Sequence, residues 1–114
     1  MVRSVGVVGL GIMGSAMARN LVDAGFKVFG CDPDAQAAER AKAAGVNVVA
    51  DAAAVAAATH TIITSLPGPA AVMAVAAAIV KGAAGPCIVA EVSTLALDDK
   101  LAFAHFVLIK FVGI

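Results

Sequence analysis

The chain has 114 residues, enough for one domain with a single hydrophobic core but short of the two domains usual in nucleotide-dependent enzymes. Its basic and acidic side chains cancel to a net charge of zero, which excludes the basic surface that a nucleic-acid backbone requires. Apolar residues make up 61% of the chain, yet glycine, proline or charge interrupts each long run before the roughly 18 residues of a membrane span. We therefore expect neither nucleic acid nor a membrane as a partner.

The amino terminus superficially resembles a secretory signal peptide, because Arg3 precedes an apolar stretch and the small-residue pattern AMA at residues 16–18. Glycines at positions 6, 9, 11 and 14 would interrupt the apolar helix of such a peptide. A strand followed by a turn and a helix explains the stretch better. The sequence therefore predicts a cytoplasmic protein.

The cysteines and histidines form no pattern typical of a metal or redox site. Cys31 and Cys87 lie far apart in the sequence and lack ligand spacing, so we expect them to be small buried apolar side chains. His60 and His105 are likewise isolated, and neither receives a role. We predict no metal site.

Short β-branched runs alternate with helical patterns along the chain. Strands are predicted at residues 3–8, 27–31, 46–49, 61–66 and 87–92. Helices are predicted at residues 12–24, 34–45, 51–58 and 70–81, and a further helix opens near Leu97. This alternation predicts an α/β fold, a doubly wound parallel sheet of the Rossmann-like dinucleotide-binding type with strand order 3-2-1-4-5.

The last residues depart from this pattern. Residues 1–104 form the predicted domain, and residues 105–114 are an apolar tail. The β-branched residues between Val107 and Val112 suggest a sixth strand. Such a strand would expose apolar surface and promote self-association of the chain.

Three glycines stand between the first predicted strand and the first predicted helix. In the pattern G-x-G-x-x-G, Gly9 makes the tight turn, Gly11 lets the backbone approach a pyrophosphate, and Gly14 allows close packing of helix on strand. The helix that begins near Ile12 directs its free N–H groups and the positive end of its dipole toward the phosphates. The position of the motif therefore favours dinucleotide binding over a purely structural turn.

An acidic residue supplies the second element of the predicted cofactor site. Asp32 ends the second strand, 18 residues after Gly14, where this fold uses a carboxylate to bind the adenine ribose. Alternatively, Asp32 caps the next helix with Pro33 at its first position, although Asp34 could provide that cap instead. A carboxylate at Asp32 would repel a 2′-phosphate, so NAD is preferred over NADP.

The stretch GLGIMGSAMARNL, which starts at Gly9, resembles the opening signature of the β-hydroxyacid dehydrogenases, the family of 3-hydroxyisobutyrate and 6-phosphogluconate dehydrogenases. By this resemblance Leu10, Ile12 and Met13 join the glycines in the cofactor-binding turn. The resemblance continues in SLPGP and EVSTLALDDK. It implies that Leu66 and Pro67 lie along the nicotinamide side of the cofactor, and Ser93 and Thr94 near the nicotinamide and substrate. Alternatively, Ser93 and Thr94 form a helix N-cap.

The resemblance implies an oxidoreductase that transfers hydride between NAD(P) and a small hydroxyacid. It covers roughly residues 1–104, and the substrate domain with the family's catalytic lysine has no counterpart in this sequence. Lys110 lies in an apolar run whose spacing gives no reason to assign it that role. We therefore assign no catalytic residue and expect a hydroxyacid substrate only if a second domain is supplied. The alternative is a non-catalytic dinucleotide-binding module, such as a redox-sensing subunit.

Overall fold

A computed structural model describes the backbone of residues 3–112 and the side chains of residues 3–105. Its strands are β1 (Ser4–Val8), β2 (Lys27–Cys31), β3 (Asn47–Val48), β4 (Thr61–Thr64) and β5 (Ile88–Glu91). Its helices are α1 (Ile12–Asp23), α2 (Ala35–Ala43), α3 (Ala52–Ala58), α4 (Pro69–Gly82) and α5 (Leu97–Val112). Predicted elements agree with these bounds to within two residues as far as the start of α5.

The five strands form one parallel sheet in the order β3-β2-β1-β4-β5, which confirms the predicted fold class and strand order. The order reverses between β1 and β4, so the chain first extends the sheet on one side of β1 and then on the other. Val8 at the end of β1 is in register with Cys31 of β2 and Thr64 of β4. The loops that leave these three strands therefore meet at one edge of the sheet.

Apolar residues cover both faces of the sheet because alternate side chains of each strand point to opposite faces. Val7 and Val28 pack with α1 and α2 on one face, and both are fully buried. Ile62 packs on the other face with Val55 of α3 and Ile79 of α4. Full burial of each such side chain contributes about 1.5–3 kcal/mol, and the two layers fix the central strands in place.

The strand predicted at the carboxyl end of the chain is wrong, since α5 continues through Val112. Residues 97–112 contain neither glycine nor proline, and extending an existing helix is easier than nucleating a new element. Phe103 also anchors α5, because its buried ring packs against Val72 and Ala76 of α4. The self-association expected of the tail concerns side chains outside the described residues and stays a prediction.

None of the helices in the described part of the chain is long and apolar enough to cross a membrane.

Candidate dinucleotide site

A cleft of about 720 Å³ opens at the carboxyl ends of β1, β2 and β4, where the strand order reverses. Ligands of open α/β sheets bind in this position because the loops diverge there and leave a crevice. Seven of the predicted cofactor-binding residues line the cleft, and they are Gly9, Gly11, Ile12, Met13, Asp32, Leu66 and Pro67. The other four, Leu10, Gly14, Ser93 and Thr94, lie outside its wall.

The three motif glycines occupy three different environments. Gly9 has φ +95°, and a Cβ there would overlap the carbonyl oxygen of Ser65. A Cβ on Gly14 would overlap the carbonyl oxygen of Gly9, so this glycine lets α1 lie against the turn. At Gly11, by contrast, no other part of the described chain lies within 4 Å of the Cβ position. Because Gly11 has no side chain, the part of the cleft next to it stays open.

The first turn of α1 presents backbone donors to the same space. Gly11 is the N-cap residue and offers no side chain, and its carbonyl accepts the first intrahelical bond, from the N–H of Ser15. The N–H groups of Ile12, Met13 and Gly14 precede that bond and have no partner within the helix. Together with the helix dipole they form a binding site for an anionic group.

Asp32 accepts two backbone hydrogen bonds at the edge of the cleft. The N–H of Leu10 donates to Oδ2 over 2.7 Å, and the N–H of Asp34 donates to Oδ1 over 2.8 Å. Asp34 is the N-cap of α2 and accepts a bond from the N–H of Gln36 at 3.0 Å, so the reading of Asp32 as that cap is wrong. Each oxygen of Asp32 keeps a further lone pair for another donor.

Asp51 and Cys31 are among the cleft residues that were not predicted from the sequence. Asp51 is the N-cap of α3 and accepts a bond from the N–H of Ala54 at 2.9 Å. The sequence feature that could have indicated Asp51 is its place at the start of a predicted helix, at the carboxyl edge of the sheet. Cys31 forms part of the cleft floor, and its burial together with the carboxylates of Asp51 and Asp32 raises the pKa of its thiol to about 11. Cys31 is therefore a neutral thiol at physiological pH.

The loop after β4 forms the opposite wall. It starts at Ser65, whose N–H donates to the carbonyl of Val8 at 2.9 Å, and it continues through Leu66 and Pro67. The N–H of Leu66 donates to Oγ of Ser93 over 2.7 Å. Ser93 is buried behind this loop, and Thr94 is exposed.

The hydroxyl of Ser93 also donates to Oε1 of Glu91. Ser93 does not cap α5, because this helix begins four residues later at Leu97. Glu91 was not predicted from the sequence, although an acidic residue near the end of the apolar stretch CIVAEV was a usable signal. Ser93 and Glu91 therefore support the cleft wall from behind.

The glycine turn, the free helix N-terminus and the strand-end carboxylate together define an NAD-binding domain of the Rossmann type. Residues 4–109 match the family described as the NAD binding domain of 6-phosphogluconate dehydrogenase, and the chain belongs to this family.

Individual relatives agree with this assignment. A curated protein of Mycobacterium tuberculosis, named "Probable 3-hydroxyisobutyrate dehydrogenase", is 44% identical over 64 residues, which are 56% of this chain and 22% of that protein. A solved structure of the 3-hydroxyisobutyrate dehydrogenase of M. tuberculosis with L-serine superposes with a TM-score of 0.92 at 31% identity. That match covers 97% of this chain and 38% of the dehydrogenase.

The same fold also occurs in enzymes with another substrate. An imine reductase from Pseudomonas sp. superposes with a TM-score of 0.84 at 27% identity, covering 94% of this chain and 38% of that enzyme. The chain therefore spans well under half the length of these relatives. What it shares with them is the cofactor-binding part.

Proposed function

We propose that the cleft binds NAD and that Asp32 holds the adenine ribose. The observation that carries this proposal is the position of the Asp32 carboxylate, 2.7 Å from the N–H of Leu10 in the glycine turn. The turn and the carboxylate thereby adjoin each other, as the pyrophosphate and the ribose do in a dinucleotide. The remaining lone pairs of Asp32 suit the two ribose hydroxyls.

In this proposal the pyrophosphate lies over Gly11 and accepts hydrogen bonds from the first turn of α1. Because β2 and β4 flank β1 on opposite sides, a dinucleotide centred on Gly11 extends in both directions. Its adenosine half lies toward Asp32, and its nicotinamide half toward Leu66 and Pro67. The open space at Gly11 and the apolar cleft walls fit such a ligand.

Preference for NAD over NADP follows from charge. A 2′-phosphate would lie beside the Asp32 carboxylate, and repulsion between the two negative charges disfavours NADP. Arg40 is the nearest arginine along the chain to Asp32, and its exposed side chain lies in the second half of α2. Asp32 therefore favours a free 2′-hydroxyl.

We further propose that the chain supplies the cofactor-binding part of a β-hydroxyacid dehydrogenase, with residues 1–104 as the domain unit. When bound, the nicotinamide exchanges a hydride with the substrate carbon, and the protein residues orient the ring. The likeness to 3-hydroxyisobutyrate dehydrogenases supports a small hydroxyacid as the substrate of the assembled enzyme. The cytoplasmic location and the lack of a nucleic-acid partner stay predictions.

A non-catalytic dinucleotide-binding module is the alternative. Both functions require the same cleft, so cofactor binding alone does not separate them. A complementation experiment does: the chain is mixed with a purified substrate domain of a 3-hydroxyisobutyrate dehydrogenase and assayed with NAD and 3-hydroxyisobutyrate. Turnover that depends on both parts supports the dehydrogenase, and its absence despite complex formation supports the module.

Cofactor binding itself is tested by calorimetric titration of the chain with NADH, NADPH and ADP-ribose. We expect NADH and ADP-ribose to bind, with NADPH weaker than NADH. A ligand present at 100 times its dissociation constant should add about 2.7 kcal/mol to the free energy of unfolding. Failure of both NADH and ADP-ribose to bind would contradict the proposed function.

A further inference from the structure

A buried carboxylate lies behind the loop that follows β4. The side chain of Glu91 is 8% exposed, and its Oε1 accepts bonds from the N–H of Ser93 at 3.0 Å and from the hydroxyl of Ser93. Thr64 Oγ1 also lies 3.4 Å from Oε1. Oε2 has no hydrogen-bond partner in the described part of the chain, although Nζ of Lys100 in α5 lies 3.3 Å away.

These contacts form a chain of polar groups from α5 to the cleft wall. Lys100 pairs with Glu91, and Glu91 accepts a hydrogen bond from the hydroxyl of Ser93. Ser93 Oγ in turn accepts a hydrogen bond from the N–H of Leu66 at 2.7 Å. A serine hydroxyl rotates freely, and an acceptor that fixes its proton elsewhere keeps a lone pair directed at Leu66. Glu91 is that acceptor. Such linked bonds polarise and strengthen each other in a buried setting.

We propose that Glu91, Ser93 and Lys100 are positioning residues for cofactor binding, and that they hold the Leu66–Pro67 loop against the nicotinamide half of the dinucleotide. This inference rests on the proposed function of the cleft. None of the three residues lines the cleft, so they act through the backbone of Leu66. Ser93 thereby acts through Leu66, whereas the resemblance implied only a position near the nicotinamide and substrate.

Stability alone does not account for this arrangement. Burying a carboxylate carries a desolvation cost that an ion pair offsets only in part, and an apolar side chain at the same place is often as stable. Glu91 does what an apolar residue could not, since it fixes the donor and acceptor directions of Ser93. The backbone of Leu66 is consequently held in one position beside the cleft.

The position of the cluster confines its effect to one half of the ligand. Leu66 belongs to the wall on the β4 side, whereas Asp32 belongs to the β2 side, with the glycine turn between them. Loosening the Leu66 loop should weaken contacts with the nicotinamide half. Contacts with the adenosine half and the pyrophosphate should remain.

The experiment compares NADH with ADP-ribose, which lacks the nicotinamide. For Ser93→Ala we expect about tenfold weaker NADH binding, because the N–H of Leu66 loses its acceptor, and ADP-ribose affinity within about twofold of the unmodified chain. Thr59→Val is the matched control. Thr59 is also a buried hydroxyl, bonded to the carbonyl of Ser4 at the opposite edge of the sheet, and its loss should change neither affinity.

Lys100→Met provides a second variant, because Lys100 is one-third exposed and lies on a different element from Ser93. It should also weaken NADH binding selectively, while the circular dichroism spectrum stays that of the folded chain. Equal losses for NADH and ADP-ribose, or unchanged NADH affinity in a folded Ser93→Ala or Lys100→Met variant, would overturn the inference. An unmodified chain that binds neither ligand would instead refute the proposed function.

Discussion

The backbone N–H of Leu10 donates a 2.7 Å hydrogen bond to Oδ2 of Asp32, and this bond joins the glycine turn after β1 to the end of β2. Leu10 is fully buried, so its N–H has to find an acceptor within the protein. The bond therefore fixes the carboxylate beside the turn before any ligand arrives. A preorganised acceptor of this kind lowers the ordering cost of binding.

The first prediction concerns cofactor choice. Replacing Asp32 by serine and Pro33 by arginine removes the negative charge and adds a cation able to pair with a 2′-phosphate. We expect the ratio of NADPH to NADH affinity to rise by about tenfold or more, since close charge pairs contribute about 1 kcal/mol or more when partly buried. Calorimetric titration with both cofactors measures the ratio.

Asp34→Ser is the control for this double variant, because serine preserves the cap of α2 and Asp34 is not one of the residues that line the cleft. Its cofactor preference should match that of the unmodified chain. Equal affinities of the unmodified chain for NADH and NADPH would contradict the role of Asp32.

The second prediction concerns Gly11. A Cβ there would meet no other part of the described chain within 4 Å, so we expect the side chain of a valine to project into the proposed pyrophosphate position. We expect Gly11→Val to abolish NADH binding while most of the helical circular dichroism signal is retained, with some loss of stability because valine is a poorer N-cap residue than glycine. Gly85→Val is the matched control, because Gly85 is likewise open and lies outside the cleft. Retained NADH affinity in Gly11→Val would mean that the turn is purely structural.

The third prediction concerns Gly14, which has the opposite environment. Even a methyl group would overlap the carbonyl oxygen of Gly9, so α1 must shift from the turn. Forcing extra atoms into a packed contact costs about 1–3 kcal/mol. Gly14→Ala should therefore lower the free energy of unfolding by about this amount in a urea titration. A variant as stable as the unmodified chain would show that α1 and the turn adapt at no cost.

Periodicity and glycine spacing were sufficient to predict the sheet and the turn. The β-branched runs of β1, β2 and β4 specify buried parallel strands, and the position of Gly9 after β1 specifies the turn. These are local patterns, so they can be recognised without the fold. Val107 and Val112 were misjudged because β-branched residues also occur in helices when packing elsewhere holds the helix in place.

The support for the cleft wall could not be predicted, because it depends on contacts between distant residues. Leu66 and Ser93 are 27 positions apart, and only the pairing of β4 with β5 brings them together. Sequence alone left Ser93 undecided between a cofactor contact and a helix cap. The contact that the structure shows, a bond from the N–H of Leu66 to the hydroxyl of Ser93, requires the register of β4 and β5.

The fourth prediction concerns pH and Cys31. Burial and two carboxylates raise the pKa of this thiol from 9.0 to about 11, so the folded chain keeps the proton that the unfolded chain releases above pH 9. The stabilisation from neutral Cys31 is therefore complete below pH 9 and lost as the pH rises toward 11. Urea unfolding of the unmodified chain and Cys31→Ala, under reducing conditions, should give a stability difference that shrinks over this window.

Cys87 serves as the internal reference for this measurement, because burial raises the pKa of its thiol too and it is present in both proteins. Its contribution cancels in the difference. A difference that stays constant from pH 7 to pH 11 would show that Cys31 ionises as freely in the folded chain as in the unfolded one.

The last prediction is that the 114-residue chain binds NAD but does not oxidise hydroxyacids at a useful rate. Hydride transfer requires the substrate carbon to be held against the nicotinamide, and correct positioning accounts for roughly 7–11 kcal/mol of the barrier. General acid–base assistance contributes a further factor of about 10²–10⁴. Lys100 of α5 pairs with Glu91 behind the cleft wall and is not a cleft residue.

The assay follows NADH formation from NAD with 3-hydroxyisobutyrate, glycerate and threonate, and NADH consumption with tartronate semialdehyde. Gly11→Val controls for contaminating dehydrogenases. A host enzyme that co-purifies would be active in preparations of both proteins, whereas activity of this chain would be lost in the variant. We expect the same background rate for both proteins, since a single cofactor-binding wall leaves the substrate unheld. Turnover that scales with the concentration of the unmodified chain and disappears in Gly11→Val would show that the cleft and its described residues are sufficient for catalysis.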